Sequence, residues 1–359
     1  MSVETLKISS KIGDYSVTWS HITDEGYRNL FQQCQTAIVD QNVWDLYGHE
    51  NDSYGFLKNI ILQFVEEEIK TPETSISLCK QLLDAGFKRG EFLLVIGGGV
   101  IQDLSTFSAS ILFRGIPWIF IPTTLLAQAD SCIGGKSSLN LERWKNQIGN
   151  FYPPRHICIV PEYLDTLKEV DIRSGLGEII KVHLISGPEM VDRIEDEIGQ
   201  MSHNPNILAE AVERSLRIKA QIIEEDEFDQ GQRLLLNYGH TFGHALESAT
   251  NYHPAHGVAV TFGADMANYL SWQLDKITKR DYERMHRILV HNLRADDWID
   301  IDIGEYLSAL RHDKKNKTGY YCFILPSEIG KVEIEFLSIG EEIESKIAQY
   351  LQEVRNWLH

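Results

Sequence analysis

The chain has 359 residues, of which 43% are hydrophobic and 24% are charged. This composition is ordinary for a globular protein, and the length is sufficient for two domains. The formal net charge of −18 at pH 7 argues against nucleic acid or an anionic membrane as a partner, because their phosphate groups would be repelled. An anionic small molecule would need a local basic pocket.

The cysteines and the first residues indicate a cellular compartment. Five cysteines are scattered along the chain and none has the spacing C-x-x-C, which predicts free thiols in a reducing environment and no thiolate zinc site. The start, MSVETLKISS, has neither a basic nor an apolar region of a secretion signal, and the apolar runs fall short of the roughly 18 residues of a membrane span. We therefore expect a cytoplasmic protein.

The first half of the sequence alternates short apolar runs with amphipathic segments. A β-hairpin is predicted at 6–21, around Gly13 and Asp14, and a helix at 74–85. Apolar runs predict further strands at 36–40, 59–65, 91–96, 118–122 and 156–160. This alternation predicts a mainly parallel sheet.

Two glycine-containing segments follow predicted strands. The sequence GGGVIQD at 97–103 lets a backbone approach a pyrophosphate, with a helix expected to begin near Asp103, although a tight strand-to-helix turn reads the same way. It does not have the spacing G-x-G-x-x-G. Further on, Lys136 in IGGKSS and the pair Lys145 and Asn146 suit phosphate oxygens. By contrast, the charged run at 66–70 is typical of a solvated surface.

The second half has the 3.6-residue periodicity of helices from 174 to about 310, then a predicted hairpin at 320–337 and a last helix from Gly340. We predict two domains, 1–165 and 166–359, packed with a cleft between them. In LLLNYGHTFGHALE at 234–247, His240 and His244 share one helix face. His256 lies further on, and Glu178 stands beside Lys181. Histidines at this spacing occur at surfaces, in cores and in metal sites.

These segments together resemble the dehydroquinate synthase family, the NAD-dependent sugar-phosphate cyclases, from about residue 40 to residue 315. The resembling pieces are GGGVIQD (97–103), FRG (113–115), PTTLLAQADSCIGGK (122–136), KNQIGNFYPP (145–154), GLGEIIK (175–181), IKA (218–220), RLLLNYGHTFGHALE (233–247) and HG (256–257). The resemblance implies an α/β N-terminal Rossmann-like nucleotide-binding domain that binds NAD. It also implies a mainly α-helical C-terminal metal-binding domain, with zinc most expected and cobalt as an alternative.

Carried over by position, the resemblance implies roles for individual residues. The metal ligands would be Glu178, His240 and His256, so that His244 becomes a substrate contact. The implied NAD contacts are Asp40, Asn42, Glu67, Lys70, Gly98, Gly99, Val100, Asp103, Thr123, Thr124, Lys136, Lys145 and Thr166. The implied substrate contacts are Asp130, Lys136, Asn146, Lys181, Lys219, Arg233, Asn237, His244 and either Lys314 or Lys315, with Lys315 taken as the candidate. Arg114 would reach the phosphate of a neighbouring subunit in a homodimer.

The implied activity is that of a lyase of the shikimate pathway, which supplies aromatic amino acids. Transient oxidation by NAD, β-elimination of phosphate, reduction and an intramolecular aldol closure would convert 3-deoxy-arabino-heptulosonate 7-phosphate to 3-dehydroquinate. The alternatives are a cyclase forming amino-dehydroquinate, 2-deoxy-scyllo-inosose or epi-valiolone, a metal-dependent alcohol or glycerol dehydrogenase, and a catalytically silent scaffold. Because a small alcohol needs no cationic cluster, Lys136, Lys219 and Arg233 argue against the dehydrogenase.

Three positions depart from the pattern of the resembling family. Gln102 and Val65 stand where glycine is usual, and so we expect a side chain to intrude beside the nucleotide. Val258 stands where the family usually has glutamate after HG. Its presence predicts the loss of a carboxylate near His256, which would weaken metal binding roughly 10–100-fold if no other group replaced it.

Overall fold

The structure, a computed structural model, describes residues 5–142, 144–297, 301–313 and 315–357. The chain forms two compact units. The first comprises Met1–Leu167 and Lys219–Phe228, and the second comprises Lys168–Ile218 and Asp229–His359. The domain boundary between residues 165 and 166 stays a prediction. Within the described ranges, no helix combines the length and the apolar character that a membrane crossing requires.

The first unit is built on a seven-stranded sheet. Its strands and a separate two-stranded hairpin are β1 (Thr5–Ile8), β2 (Tyr15–Trp19), β3 (Cys34–Asp40), β4 (Asn59–Gln63), β5 (Phe92–Gly97), β6 (Trp118–Pro122), β7 (Leu139–Leu141), β8 (Trp144–Ile148) and β9 (His156–Ile159). The sheet order is β1-β2-β9-β6-β5-β3-β4, with β1 and β2 antiparallel and the other pairs parallel. The predicted hairpin, the five further strands and the mainly parallel sheet are confirmed.

The burial of the central strands explains why the sequence reveals them. Every residue of β6 is buried, and β5 is buried from Leu93 onward, as expected for strands covered on both faces. The hairpin β7–β8 was not predicted, because β8 is largely exposed and polar and has no alternating apolar pattern. This hairpin carries Lys145 and Asn146, which therefore lie on a strand.

The helices of the first unit follow their strands closely. They are α1 (Glu25–Gln33), the single turn α2 (Gln41–Val43), α3 (Pro72–Asp84) and α4 (Gly99–Ile111). The predicted helix at 74–85 is confirmed as α3, whose first turn is capped by the Thr71 hydroxyl and begins with Pro72. The expected start of α4 near Asp103 was wrong. The extended residue Gly98 already caps this helix, and its carbonyl accepts from the Gln102 amide, so the connection from β5 is a single residue.

The second unit is mainly helical. Its elements are α5 (Glu169–Leu184), α6 (Pro188–Met201), most of α7 (Pro205–Glu225), α8 (His240–Ala249), α9 (His256–Gln273), α10 (Lys279–Val290), α11 (Ile303–Arg311), the hairpin β10 (Tyr320–Glu328) and β11 (Lys331–Ser338), and α12 (Glu341–Trp357). Helix α9 lies at the centre, because every residue from Gly257 to Ser271 is buried. It packs against α5, α8, α10, α12 and β10. The predicted hairpin and last helix are confirmed.

Candidate active site and metal centre

Three side chains of the second unit converge on one point. The ligand atoms of Glu178, His240 and His256 all lie within 4.8 Å of one another. Glu178 Oε1 is 3.5 Å from His240 Nε2 and 3.4 Å from His256 Nε2. The carboxylate is almost completely buried on α5, whereas the histidines are the first residues of α8 and α9. Three helices therefore supply one ligand each.

Glycines next to the histidines let the helices α8 and α9 approach closely. Gly239, just before His240, has a φ of +79°, a conformation that side chains rarely adopt. A Cβ on Gly263 would lie 1.9 Å from the Gly239 carbonyl oxygen, and one on Gly243 would lie 2.7 Å from the Ala259 carbonyl oxygen. The backbones of α8 and α9 thus contact each other, which positions His240 next to the start of α9.

The outer nitrogens of both imidazoles are hydrogen-bonded. Nδ1 of His240 lies 3.3 Å from the Tyr238 carbonyl oxygen, and Nδ1 of His256 lies 3.1 Å from Oε1 of Glu247. These acceptors favour a proton on Nδ1 and leave both Nε2 atoms directed at Glu178. The predicted loss of metal affinity at Val258 depended on the absence of any other carboxylate near His256. Val258 is a buried core residue, and Glu247 on α8 supplies a carboxylate from another direction.

The charges at this centre are strongly coupled. Burial opposes ionisation of Glu178, but Lys181 and His256 hold its pKa well below the usual range. Burial, together with the Lys181 charge, lowers the pKa of His240. Burial disfavours the charged form of His256 as well, yet its hydrogen bonds to Glu178 and Glu247 raise its pKa to about 10. One carboxylate and two imidazoles suit a divalent metal with an open coordination position, and binding would release the proton of His256.

Other implied substrate contacts of the second unit surround the same centre. The Lys181 ammonium forms an ion pair with Glu178, and Lys315 Nζ donates to the Thr241 hydroxyl at 3.2 Å. The ring centroid of His244 is 5.4 Å from that of His240 and 5.9 Å from that of His256. His244 also belongs with Glu247 and His256 to a second group of close donor atoms. Lys314 lies outside the described residues.

Arg233 and Asn237 occupy the turn that leads into α8. Both belong to the 3₁₀ segment Gln232–Asn237, in which the Arg233 side chain is buried. The Asn237 amide donates to the Leu234 carbonyl oxygen at 3.0 Å, within the same turn. This short segment therefore holds a buried arginine seven residues before His240.

Several implied NAD contacts lie at the carboxyl ends of neighbouring parallel strands. Asp40 ends β3, Gly98 follows β5, and Thr123 follows β6. Because β6, β5 and β3 are adjacent, these ends meet at one edge of the sheet, where doubly wound folds bind nucleotides. The Thr123 amide donates to the Gly97 carbonyl oxygen at 3.0 Å, and a Cβ on Gly98 would lie 2.8 Å from Cγ2 of Thr124. This edge has a close-packed glycine turn.

The remaining implied contacts at this end of the unit differ in burial. Asp40 is buried and accepts from the Asn42 backbone amide at 2.9 Å, and burial raises the pKa of this carboxyl. The Thr166 hydroxyl lies 3.0 Å from the Tyr47 hydroxyl. Gly99, Val100 and Asp103 all lie on the first turns of α4.

The charged run at 66–70 is not a plain solvated surface, and that interpretation was wrong for Lys70. This lysine is buried, and its Nζ donates to Asn146 Oδ1 at 2.9 Å and lies 3.3 Å from carboxylate oxygens of both Glu67 and Asp103. Burial, opposed by Lys70, raises the pKa of Asp103 to about 7. The hairpin residue Asn140 donates to Glu67 Oε1 at 3.0 Å and accepts from the Asn146 amide at 3.0 Å.

A second ion pair joins two implied substrate contacts of the first unit. Lys219 Nζ donates to the Asp130 carbonyl oxygen at 2.5 Å and lies 3.0 Å from Oδ1 of the same residue. Lys136 is exposed beside its backbone bridge to Phe151, and Arg114 is exposed at the end of the turn after α4. The Gln102 side chain is hydrogen-bonded to Ser131, and its expected intrusion beside the nucleotide stays a prediction.

Sequence reasoning missed two residues of these networks. Glu247 follows His240 by seven positions and His244 by three, and so all three lie on one helical face, which was a usable signal. Asn140 gave no signal, because its partners Glu67 and Asn146 meet it only through tertiary contacts.

The fold and the site define a class: proteins with a Rossmann-like parallel-sheet unit and a helical unit that carries a carboxylate–imidazole centre for a divalent metal. Residues 60–174 match the family description "3-dehydroquinate synthase N-terminal", and residues 175–316 match "3-dehydroquinate synthase C-terminal". The chain belongs to the 3-dehydroquinate synthase family.

Individual relatives agree with this assignment. The chain is 38% identical over 313 residues to the 3-dehydroquinate synthase of Thermodesulfovibrio yellowstonii, covering 85% of this chain and 87% of that protein. It is 37% identical over 320 residues to that of Acaryochloris marina, covering 87% and 86%. The fold is similar to that of a crystal structure of 2-deoxy-scyllo-inosose synthase with carbaglucose-6-phosphate, NAD⁺ and Co²⁺. The TM-score is 0.86 and the sequence identity is 24%, with 98% of this chain and 99% of the other covered.

Proposed function

We propose that the protein is a 3-dehydroquinate synthase, a carbon–oxygen lyase that converts 3-deoxy-arabino-heptulosonate 7-phosphate to 3-dehydroquinate and phosphate. The observation that carries this proposal is the close group of Glu178, His240 and His256, with Lys181 and Lys315 beside it. Family membership and the similarity to named 3-dehydroquinate synthases over most of the chain support the same activity.

The donor set supports a divalent metal, with zinc preferred and cobalt as an alternative. A metal held by Glu178, His240 and His256 would lower the pKa of a coordinated hydroxyl, and NAD held by the first unit would accept a hydride and return it. Replacing His240 by alanine should remove stoichiometric metal and activity while the fold survives. A full equivalent of metal in the folded variant would contradict the assignment.

The protein's own side chains suit the two anionic ends of this substrate. Lys181, Lys315 and His244 provide cationic or hydrogen-bonding groups around the metal centre, as a departing phosphate requires. Arg233 presents a planar guanidinium that can contact both oxygens of a carboxylate.

Lys219 contributes less to this argument than the sequence suggested. Both Lys219 and Arg233 are cations that could pair with a substrate carboxylate. Lys219 already contacts both an oxygen of the Asp130 side chain and its backbone carbonyl. We assign the selection of an acidic substrate to Arg233 because its planar guanidinium can contact both oxygens of a carboxylate.

A phosphate-release assay with purified protein, NAD and zinc tests the function. We expect turnover of 3-deoxy-arabino-heptulosonate 7-phosphate and at least ~100-fold poorer use of glucose 6-phosphate and sedoheptulose 7-phosphate, from the loss of roughly 3 kcal/mol of carboxylate pairing. Arg233→Ala should damage use of the acid selectively, with Arg233→Lys retaining part of it. Comparable turnover of the neutral sugars by the unchanged protein would move the assignment to another cyclase.

The same assay, followed at the absorbance of NADH, tests the role of NAD. A recycled cofactor leaves no net NADH after many turnovers, because the hydride returns to the substrate within each cycle. One NADH per product would identify a dehydrogenase instead.

We also propose that the protein is a cytoplasmic homodimer that uses Arg114 across its interface. The exposed position of Arg114 leaves it available to a second subunit. All five cysteines are free thiols, which suits a reducing compartment. Sedimentation of the purified protein tests the homodimer. Fractionation of cells tests the cytoplasmic location.

A further inference from the structure

We propose that Gln102 is a positioning residue, which holds the turn carrying Asp130, and through it Lys219, in a defined place relative to the first turns of α4. The consequence for catalysis rests on the proposed function, in which α4 contacts NAD while Asp130 and Lys219 contact substrate. The positioning itself rests on contacts within the first unit.

Gln102 and Ser131 form a reciprocal pair of hydrogen bonds. The Gln102 side-chain amide donates to the Ser131 carbonyl oxygen at 2.6 Å, and the Ser131 hydroxyl donates to Gln102 Oε1 at 2.7 Å. Gln102 is only 4% exposed, and so water cannot easily replace either bond. Loss of one partner would leave a buried polar group unsatisfied, which is more costly than the net gain from a typical hydrogen bond.

Ser131 is the last residue of a π-helical turn, Ala127–Ser131. Carbonyl groups at the end of a helical segment have no hydrogen-bond donor within that segment. The Gln102 side-chain amide supplies a donor for the Ser131 carbonyl. A π-turn contains an extra residue relative to an α-turn, and such turns are frequent at functional sites. Gln102 therefore stabilises an intrinsically unfavourable backbone geometry at its end.

Asp130 precedes Ser131 and holds Lys219 through two oxygen atoms, its backbone carbonyl at 2.5 Å and Oδ1 at 3.0 Å. Lys219 is bonded to the backbone of Asp130 as well as to its side chain. A shift of the turn Ala127–Ser131 therefore moves an acceptor of Lys219, and rotation of the Asp130 side chain cannot compensate for it. Lys219 is 6% exposed and lies on α7. The position of its ammonium thus depends on the turn that Gln102 holds.

The other end of this connection is the start of α4. Gln102 lies one residue before Asp103, and its own backbone amide donates to the Gly98 carbonyl oxygen at 3.0 Å. One side chain thereby joins the glycine turn after β5 to the segment that contains Asp130. A glycine at position 102 has no amide side chain and would leave Ser131 without this donor.

The test compares Gln102→Met, which keeps the side-chain length but removes both polar atoms, with Ser131→Ala and the double variant. Ser108→Ala is the control, because it also deletes a serine hydroxyl that forms a hydrogen bond, in this case a buried one on α4 itself. The first measurement is the acetylation rate of Lys219 in the ligand-free protein, followed by mass spectrometry. The second is the KM for the sugar-phosphate acid, alongside kcat and the affinity for NAD.

We expect Lys219 acetylation to rise at least about fivefold in Gln102→Met, the factor of one lost hydrogen bond. KM should rise ~10-fold with a smaller change in kcat, as misplaced binding groups predict. Ser131→Ala should show a smaller effect in the same direction, the double variant should resemble Gln102→Met, and Ser108→Ala should remain within about twofold of the unchanged protein.

Unchanged acetylation of Lys219 in a folded Gln102→Met protein would overturn the proposal. If that variant does not fold, Ser131→Ala decides the question by the same measurement. Absence of phosphate release from the unchanged protein contradicts the proposed function, whereas the acetylation rates still decide the positioning role.

Discussion

Gly177 and Gly257 bring the backbones of α5 and α9 into contact beside the metal centre. A Cβ on Gly177 would lie 1.9 Å from the Gly257 carbonyl oxygen, and one on Gly257 would lie 1.7 Å from the carbonyl oxygen of Ser174. Each glycine adjoins a candidate ligand, Glu178 in one case and His256 in the other. The separation of those two ligands is therefore set by residues that have no side chain.

Gly177→Ala should separate α5 from α9 and disturb the metal centre. Overpacking of this kind costs about 1–3 kcal/mol of unfolding free energy, measured by urea denaturation. Metal content after dialysis should fall below one equivalent. Gly199→Ala, in α6, is the control, since its Cβ would meet only the His291 ring at 3.8 Å and alanine favours the helix by up to ~1 kcal/mol. Equal metal content in both variants would contradict this account.

Removing Glu247 should weaken metal binding without removing a ligand. Glu247→Ala deletes the acceptor for His256 Nδ1, and loss of such a partner typically costs roughly 10–100-fold in affinity. Glu247→Gln keeps an oxygen acceptor and should lose less. Competition with a chromophoric chelator for Zn²⁺ gives the Kd directly. Glu213→Gln, which removes a half-buried pairing with Arg217 on α7, should leave the Kd unchanged. An unaltered Kd in Glu247→Ala would exclude this role.

Inactive variants should complement each other if Arg114 acts in the neighbouring subunit. Arg114→Ala and Lys181→Ala change residues from different parts of the chain, and a mixed dimer contains one site in which neither change occurs. Mixing the two proteins under conditions of subunit exchange should restore up to about a quarter of the normal activity, half of the sites in half of the dimers, which is the isologous geometry of a twofold dimer. The absence of recovery, with exchange demonstrated by differently tagged chains, would count against a shared site.

His183 should make the folded state sensitive to acid. Burial lowers its pKa to about 4, and the nearby Arg214 charge, whose Nε donates to His183 Nε2 at 3.4 Å, acts in the same direction. The hydrogen bond from Nδ1 to the Ile179 carbonyl oxygen, at 2.7 Å, opposes this shift only in part. An unfolded histidine titrates near 6.5. As the pH falls, His183 is therefore protonated in the unfolded state before it is protonated in the folded state. Its contribution to the free energy of unfolding is complete above pH 6.5 and is lost as the pH falls toward 4. At pH 5 this loss is about 2 kcal/mol.

Urea unfolding at pH 7 and pH 5 measures this contribution. In His183→Gln the difference between the two unfolding free energies should shrink by about 2 kcal/mol, whatever the absolute stability of the variant. His203→Gln changes an exposed histidine and should leave the difference as it is in the unchanged protein. If the unfolding free energy changes equally between pH 7 and pH 5 in the unchanged protein and both variants, a group other than His183 causes the acid sensitivity.

Much of the fold could be predicted because its signals are local. The apolar strands β5 and β6 and the capped helix α3 follow from residues that are neighbours in sequence. The start of α4 and the exposed hairpin β7–β8 could not be predicted in this way. The first depends on a one-residue connection at Gly98, and the second on contacts with the distant segment around Lys70.

The sequence by itself determined the chemical types available at the candidate metal centre. Glu178, His240 and His256, with the lysines nearby, were identified from motifs that remain recognisable however the chain is folded. Helical periodicity also placed His240 and His244 on one face, because that spacing depends only on the backbone geometry of a single helix.

Only the tertiary structure decided which groups support the candidate ligands. Glu247 is hydrogen-bonded to His256, whereas Val258 lies in the core. In the first unit, the tertiary structure likewise pairs Gln102 with Ser131. Periodicity could not reveal these pairings, since each depends on how separate elements pack against one another. The glycine contacts between α5, α8 and α9 set the distances between the candidate ligands. Hydrogen bonds and metal coordination are sensitive to changes in such distances of less than 1 Å.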